Sequence, residues 1–210
     1  MDFAEELVRR YPDLAECLPQ VRQGIERLAG AFRAGGKLLV CGNGGSAADS
    51  EHIVGELMKG FLLPRALPPE MRMRLEAAAP GHGERLAAGL QGALPAISLV
   101  SQSALLTAFI NDVDPAMVFA QQVYGYGRPE DALLVLSTSG RSANVLNALR
   151  VARALGLVTL GLTGKSGGAL PELCDVTIRV PFEQVVPIQE RHLAIYHAMC
   201  AQLEQEFFKE

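Results

Sequence analysis

Residues 37–56 read KLLVCGNGGSAADSEHIVGE. The first five form a short apolar run bounded by Gly36 and Gly42, which suits a strand buried on both faces of a parallel sheet better than an alternating edge strand. The glycine-rich turn that follows opens straight into a helical pattern carrying His52 and Glu56. Four more runs share the character of KLLVC: AISLVS at 96–101, LLVLST at 133–138, VTLGLT at 158–163 and VTIRVP at 176–181. Helical patterns separate them, and strands alternating with helices imply right-handed crossovers and a covered parallel sheet. The expected fold is therefore α/β, a doubly wound five-stranded parallel sheet flanked by helices. Ligands of such sheets bind beyond the carboxyl ends of the strands. The two most polar turns, CGNGGS at 41–46 and LSTSGRS at 136–142, both follow strands.

Outside this alternation lie helical patterns at both ends. From Asp2 to about Phe32 apolar residues recur at three- and four-residue steps, interrupted by Pro12 and Pro19, which predicts two or more helices before the first strand. Residues 188–208 place Leu193, Tyr196, Met199, Cys200 and Leu203 at the spacing of one long amphipathic helix. The stretch at about 64–95 is richer in proline, arginine and alanine, with two short helical patterns and no strand. It reads as a helical insertion on a single domain spanning 1–210.

Bulk properties narrow the classes of function. The net charge of −4 provides no basic stripe for a nucleic-acid backbone, so any phosphate would be bound locally. The four cysteines are scattered, without a CxxC pair, and read as reduced and mostly buried. The amino terminus lacks an apolar signal core, and no stretch approaches the ~20 apolar residues that span a bilayer. A cytoplasmic protein acting without membrane or nucleic acid is expected.

The most concentrated chemistry is LSTSGRSAN at 136–144. Ser137, Thr138, Ser139 and Ser142 surround Gly140 where a strand ends and a helix begins, so hydroxyls and free backbone N–H groups point at one spot, as a phosphate pocket without lysine requires. A serine N-cap with ordinary turn residues is the bland alternative. CGNGGS lacks both the dinucleotide fingerprint and the GK[ST] of a P-loop; its glycines admit a ligand, and a plain strand-to-helix corner explains it equally well. His52 and Glu56 are four apart on one helical face and can share a divalent metal or exchange a proton, although an isolated pair at this spacing is more often only an exposed ion pair. In the last helix Glu190 and His197, seven apart, fall on one stripe, with Gln189 about 80° from His197. Spacing alone selects Glu190 as the partner of His197, and a solvated polar face competes with any functional reading.

Taken together, CGNGGSAADSEH, FIND, LSTSGRSANV, LTGKSGG and PIQERHLAIYHAM resemble the phosphoheptose isomerases of the sugar isomerase (SIS) domain superfamily, in the family's order and over nearly all of the chain except 64–95. The resemblance implies a flavodoxin-like SIS fold with long terminal helices. It also implies isomerisation of sedoheptulose 7-phosphate to D-glycero-D-manno-heptose 7-phosphate through an enediol(ate), in a homotetramer with active sites shared between subunits. By the same resemblance Asn43, Gly44, Gly45, Asn111 and Asp112 contact substrate, and Ser137, Thr138, Ser139 and Ser142 hold its phosphate. Glu56 and His197 match the acid/base pair, Glu56 and Gln189 also touch substrate, and His52, Glu56, Gln189 and His197 match a site for one Zn2+ per subunit. Here the family replaces Glu190 by Gln189.

A carboxylate, an imidazole and a metal meet the needs of an aldose/ketose shift, which moves one carbon-bound proton, redistributes protons between oxygens and develops enediolate charge. Three departures from the family pattern bear on substrate identity: Arg141 stands where asparagine is common, Ala47 and Ala48 make the first helix blander than in many relatives, and the 64–95 segment follows the Glu56 helix. An isomerase of another sugar phosphate is therefore a second reading. A non-catalytic SIS protein that binds a partner such as a replication initiator is a third, although the retained His52, Glu56, Gln189 and His197 argue against it. The amphipathic terminal helices predict self-association.

Overall fold

The computed structural model describes residues 1–209. Two helices, α1 (Phe3–Arg10) and α2 (Leu18–Arg33), precede β1 (Leu38–Gly42) and α3 (Gly45–Met58). The 64–95 segment carries α4 (Pro69–Ala78) and α5 (Gly83–Gly89). Then come β2 (Ala96–Ser98), α6 (Ser103–Asp112), α7 (Val118–Tyr126), β3 (Ala132–Leu136), α8 (Ala143–Ala154), β4 (Val158–Thr163), α9 (Leu170–Leu173), β5 (Val176–Arg179) and α10 (Val185–Phe208). All five strands pair in parallel in the order β2-β1-β3-β4-β5, as the alternating apolar runs predicted.

The strands are predominantly apolar because both faces of the sheet are covered, but alternate residues enter different cores. Leu38, Val40, Leu134, Leu136, Leu160 and Leu162 join side chains of α2 and α10 on one face. Leu39, Cys41, Leu133 and Val135 meet α7 and α8 on the other. The start of the ladder is pinned by the buried Asp131, whose carboxylate accepts from the Lys37 backbone N–H (2.8 Å) and its ammonium (2.6 Å). All four cysteines are free, and Cys17, Cys41 and Cys200 are buried. No helix among the described residues is long and apolar enough to cross a membrane.

Several boundaries differ from the sequence expectation. AISLVS is strand only through Ser98; at this sheet edge the Leu99 N–H makes a last bond to Val40 O (2.9 Å) before the chain turns. LLVLST ends as strand at Leu136, which leaves Ser137 and Thr138 in the turn where their hydroxyls are of use. Pro19 lies in the first turn of α2, where its missing N–H costs nothing, so it starts the helix instead of interrupting it. Pro187 does the same in α10, which begins at Val185, one turn earlier than the periodicity indicated. The 64–95 stretch holds two helices and no strand, and its excursion closes where the Gly92 N–H donates to Arg65 O (2.8 Å). None of the α4 side chains is buried.

Candidate active site

Strand order reverses between β1 and β3, and the crevice of a doubly wound sheet opens at such a reversal. CGNGGS leaves β1 there and LSTSGRS leaves β3, so the two polar turns are neighbours. A reciprocal amide pair joins them: Asn43 and Asn144 each donate through Nδ2 to the other's Oδ1 at 2.9 Å. In the second turn Ser137 Oγ accepts from the Gly140 N–H (3.2 Å) and lies 3.4 Å from Ser142 Oγ, while Ser139 Oγ accepts from the Arg141 N–H (3.3 Å). Ser142 is the extended N-cap of α8 and makes no side-chain cap bond, which leaves its hydroxyl and the Ala143 and Asn144 N–H groups available to an anion, while the Val145 N–H donates to Asn144 Oδ1 (3.0 Å). Gly140 has φ +62°, and its Cα faces the backbone of Gly167 and Gly168 so closely that no Cβ fits. The LTGKSGG turn thus props the hydroxyl-rich turn from behind, with the Ala169 N–H donating to Gly140 O (2.9 Å).

The other wall is made by two helices. Gln189 packs on the first turn of α3, where a Cβ at Gly45 would stand 2.5 Å from Gln189 Nε2. Further along both helices His197 meets His52, so α3 and α10 run side by side in the same direction. His52 Nε2 is 3.2 Å from Glu56 Oε1 and 3.4 Å from His197 Nε2. Glu56 Oε2 is also 3.3 Å from Lys59 Nζ. Burial, and next the adjoining His52, hold the His197 imidazole below the ordinary histidine range, so it is neutral at pH 7. Two tetrahedral zinc ligands at roughly 2.0–2.1 Å would stand about 3.3–3.4 Å apart, which matches both spacings from His52. These are pairwise fits: among the described residues no three His, Cys, Asp or Glu side chains form a complete cage.

A buried ion pair fixes the far end of α3. The Glu204 side chain, 0% exposed, accepts from the backbone N–H groups of Phe61, Leu62 and Leu63 (2.7, 2.7 and 3.1 Å) and from Arg65 Nε (2.8 Å). Arg65 in turn donates to Leu57 O (2.6 Å) and Glu56 O (3.0 Å), the last carbonyls of the helix that carries Glu56.

The SIS domain model matches residues 2–88 and 84–164. The chain belongs to the SIS domain family. It is 39% identical over 202 residues to the phosphoheptose isomerase of Rhodospirillum rubrum, covering 96% of this chain and 94% of the relative. Among solved structures it resembles a phosphoheptose isomerase from Francisella tularensis (TM-score 0.74, 32% identity, 96% and 94% covered). A phosphoheptose isomerase from Neisseria gonorrhoeae is similar as well (TM-score 0.72, 31% identity, 96% and 91% covered).

Within this SIS fold the residues singled out in the sequence fall into three sets. Asn43, Gly44 and Gly45 adjoin Ser137, Thr138, Ser139 and Ser142 across the sheet reversal, and His52, Glu56 and His197 converge between α3 and α10. Gln189 stands between these two groups, against Gly45. The spacing argument for Glu190 is overturned: its side chain is 62% exposed and lies 3.7 Å from Arg191. The centre of the α10 contact stripe runs through Gln189 and Tyr196, both of which touch α3; Glu190 and His197 lie one residue round from it. His197 meets His52 from that edge, whereas Glu190 on the same edge faces solvent. Asn111 and Asp112 are exposed at the end of α6, where Asn111 Nδ2 donates to Asp112 Oδ1 (2.8 Å). Among the described residues no hydrogen bond ties them to either polar turn.

Asn144, Asp49 and Tyr196 were missed as individual contributors. The Tyr196 hydroxyl lies 3.1 Å from Asp49 Oδ1 and 3.0 Å from His52 Nδ1. Asp49, one turn before His52, is a legible signal; the amphipathic stripe marks Tyr196 only as a core residue.

Proposed function

We propose that this chain isomerises sedoheptulose 7-phosphate to D-glycero-D-manno-heptose 7-phosphate. The observation that carries the reading is the meeting of Glu56 and His197 at His52, with Gln189 linking that cluster to the glycine turn. The names and near full-length similarity of the relatives support the choice of sugar. In this reading the Ser137, Thr138, Ser139 and Ser142 hydroxyls, with the N–H groups that open α8, hold the phosphate and fix the far end of the sugar. Asn43, Gly44 and Gly45 line the path of the carbon chain, with Asn111 and Asp112 as further sugar contacts.

Glu56 removes a proton from C1 of the ketose, and the electron pair forms the C1–C2 double bond of an enediol(ate). The proton returned to C2 completes the aldose. His197, neutral at pH 7, carries protons between the two oxygens. Excess negative charge on the intermediate is greatest at those oxygens, where donors placed in advance are most effective. His52, Glu56, Gln189 and His197 would hold one Zn2+ per subunit. Bound there, zinc supplies Lewis-acid polarisation of the carbonyl and neighbouring hydroxyl.

His197 borders a cleft of about 220 Å³ lined by Leu7, Tyr11, Phe61, Leu62 and Leu193 on its apolar side. Leu62 and Leu193 remain exposed there, which supports a homotetramer in which the two terminal helices face a neighbouring subunit and active sites are shared. We take the protein to be a single cytoplasmic domain. Arg141, exposed beside the phosphate turn, favours one second reading, the same chemistry on another sugar phosphate. Purified protein incubated with sedoheptulose 7-phosphate, alone and with zinc, should form aldoheptose phosphate. Absence of turnover there, with turnover of a pentose or hexose phosphate, would select the second reading.

A further inference from the structure

Tyr196 is 1% exposed and lies beside His197 in sequence, but its hydroxyl serves the other helix. It stands 3.1 Å from Asp49 Oδ1 and 3.0 Å from His52 Nδ1. Its ring is edge-on to both imidazoles, with centroids 5.5 Å from His52 and 5.0 Å from His197. This packing leaves the hydroxyl little freedom to choose other partners.

The proton inventory of the trio limits its arrangements. A phenol has one proton to donate, and an ionised carboxylate only accepts. When the Tyr196 proton goes to Asp49, the phenol oxygen offers His52 lone pairs alone. The 3.0 Å contact is then a hydrogen bond only if His52 Nδ1 carries the imidazole proton. In a neutral ring that leaves Nε2 bare, facing Glu56 Oε1 at 3.2 Å and His197 Nε2 at 3.4 Å. A bare nitrogen beside a carboxylate oxygen is two acceptors turned toward one point, an arrangement that stabilises a proton or cation placed between them.

We infer that Asp49 and Tyr196 are positioning residues that hold His52 in its Nδ1–H tautomer and orientation, so that the Nε2 lone pair is presented to Glu56 and His197. The function of a histidine ring nitrogen is set by the hydrogen bond that the other nitrogen makes. Neither Asp49 nor Tyr196 touches the reacting atoms in this scheme. The inference rests on the proposed role of His52 in the site, and it specifies which groups prepare that residue.

The tautomer can be read without substrate, metal or turnover. Long-range 1H–15N correlation spectra of the metal-free protein at pH 7.5 should show His52 protonated on Nδ1 with a bare Nε2. Tyr196→Phe keeps the ring packing and removes the relay; His52 should then become a mixture of tautomers. Asp49→Asn lets the new amide donate to the phenol oxygen, which reverses the chain and should favour Nε2–H. Zinc affinity of the same proteins, measured by chelator competition, should fall roughly 10- to 100-fold in both variants, with circular dichroism and melting curves showing that they remain folded. An Nε2–H tautomer in the parent protein would overturn the inference, as would folded variants that keep the parent's tautomer. Absence of sugar-phosphate turnover would count against the proposed function and leave the tautomer result standing.

Discussion

Replacing Glu204 by glutamine changes one oxygen into an NH2 group, and the structure assigns that change a large cost. Glu204 Oε1 accepts from the Phe61 N–H and Arg65 Nε, and Oε2 accepts from the Leu62 and Leu63 N–H groups. Whichever way the new amide turns, its NH2 confronts two donors, so two acceptor contacts are lost and the buried Arg65 guanidinium loses its counter-charge. Both side chains of this pair are 0% exposed, which removes the solvent screening that makes surface ion pairs weak. Breaking a buried pair from one side costs about 3–5 kcal/mol. With a urea m-value of about 2 kcal/mol/M, the unfolding midpoint should fall by roughly 1.5–2.5 M. The comparison needs equal protein concentrations, because self-association contributes to apparent stability.

Titration provides a second check on the same residue. Burial by itself would raise the Glu204 carboxyl, but the Phe61 and Leu62 N–H groups and the Arg65 guanidinium outweigh it and hold the carboxyl below its ordinary 4.5. A group depressed in the folded state contributes stability above its unfolded pKa and loses it as pH falls through the folded value. The gap between parent and Glu204→Gln should therefore be full at pH 7 and shrink below about pH 4.5. Because Arg65 holds Glu56 O and Leu57 O, kcat should also decline by roughly tenfold or more, as small displacements of a catalytic group do. A loss below about 1 kcal/mol at pH 7 would refute the view that this pair clamps the 60–65 turn to α10.

Other substitutions separate the parts of the site. Glu56→Gln should lower kcat by about 10²- to 10⁴-fold, the usual contribution of a general base, with little change in melting temperature; retention of activity would remove Glu56 from the mechanism. Gly45→Ala places a methyl against the mobile end of Gln189, so it should cost less than about 1 kcal/mol of stability but displace the amide, visible as weaker zinc uptake and slower turnover. Gly140→Ala meets both a positive φ and the backbone of Gly167; a destabilisation of about 2 kcal/mol or more and a higher KM for sugar phosphate are expected in urea titrations and steady-state assays. His192 is 0% exposed and, among the described residues, neither ring nitrogen has a hydrogen-bond partner, and burial pushes its pKa down to about 4 from 6.5. The unfolded chain then binds the extra proton first, so stability present above pH 6.5 should drop by about 3 kcal/mol as pH falls to 4, and His192→Phe should remove that slope.

Much of this molecule was legible in local pattern. KLLVC, LLVLST and VTLGLT are dominated by consecutive apolar residues because both faces of the sheet are covered, and that property survives in a one-dimensional reading. The hydroxyl-rich turn was legible for a similar reason, since Ser137, Thr138, Ser139 and Ser142 lie within six residues of one another. His52 and Glu56 share a helical face whatever surrounds them, and the structure separates them by 3.2 Å.

Relations between distant segments were another matter. Helical spacing nominated Glu190 because angular position is all that spacing encodes; which stripe of α10 meets α3 depends on the packing of two helices against one sheet, and that contact centres on Gln189 and Tyr196. The same packing turned Tyr196 from a core residue into a bridge between Asp49 and His52, and it buried Glu204 opposite Arg65, 139 residues away in sequence. Sequence by itself determined the parallel α/β architecture, the two polar turns and the residue types available for chemistry, because periodicity and turn composition are local properties of the chain. Only the tertiary structure decided which of those residues face one another, because hydrogen bonds and desolvation depend on distances that local pattern does not contain.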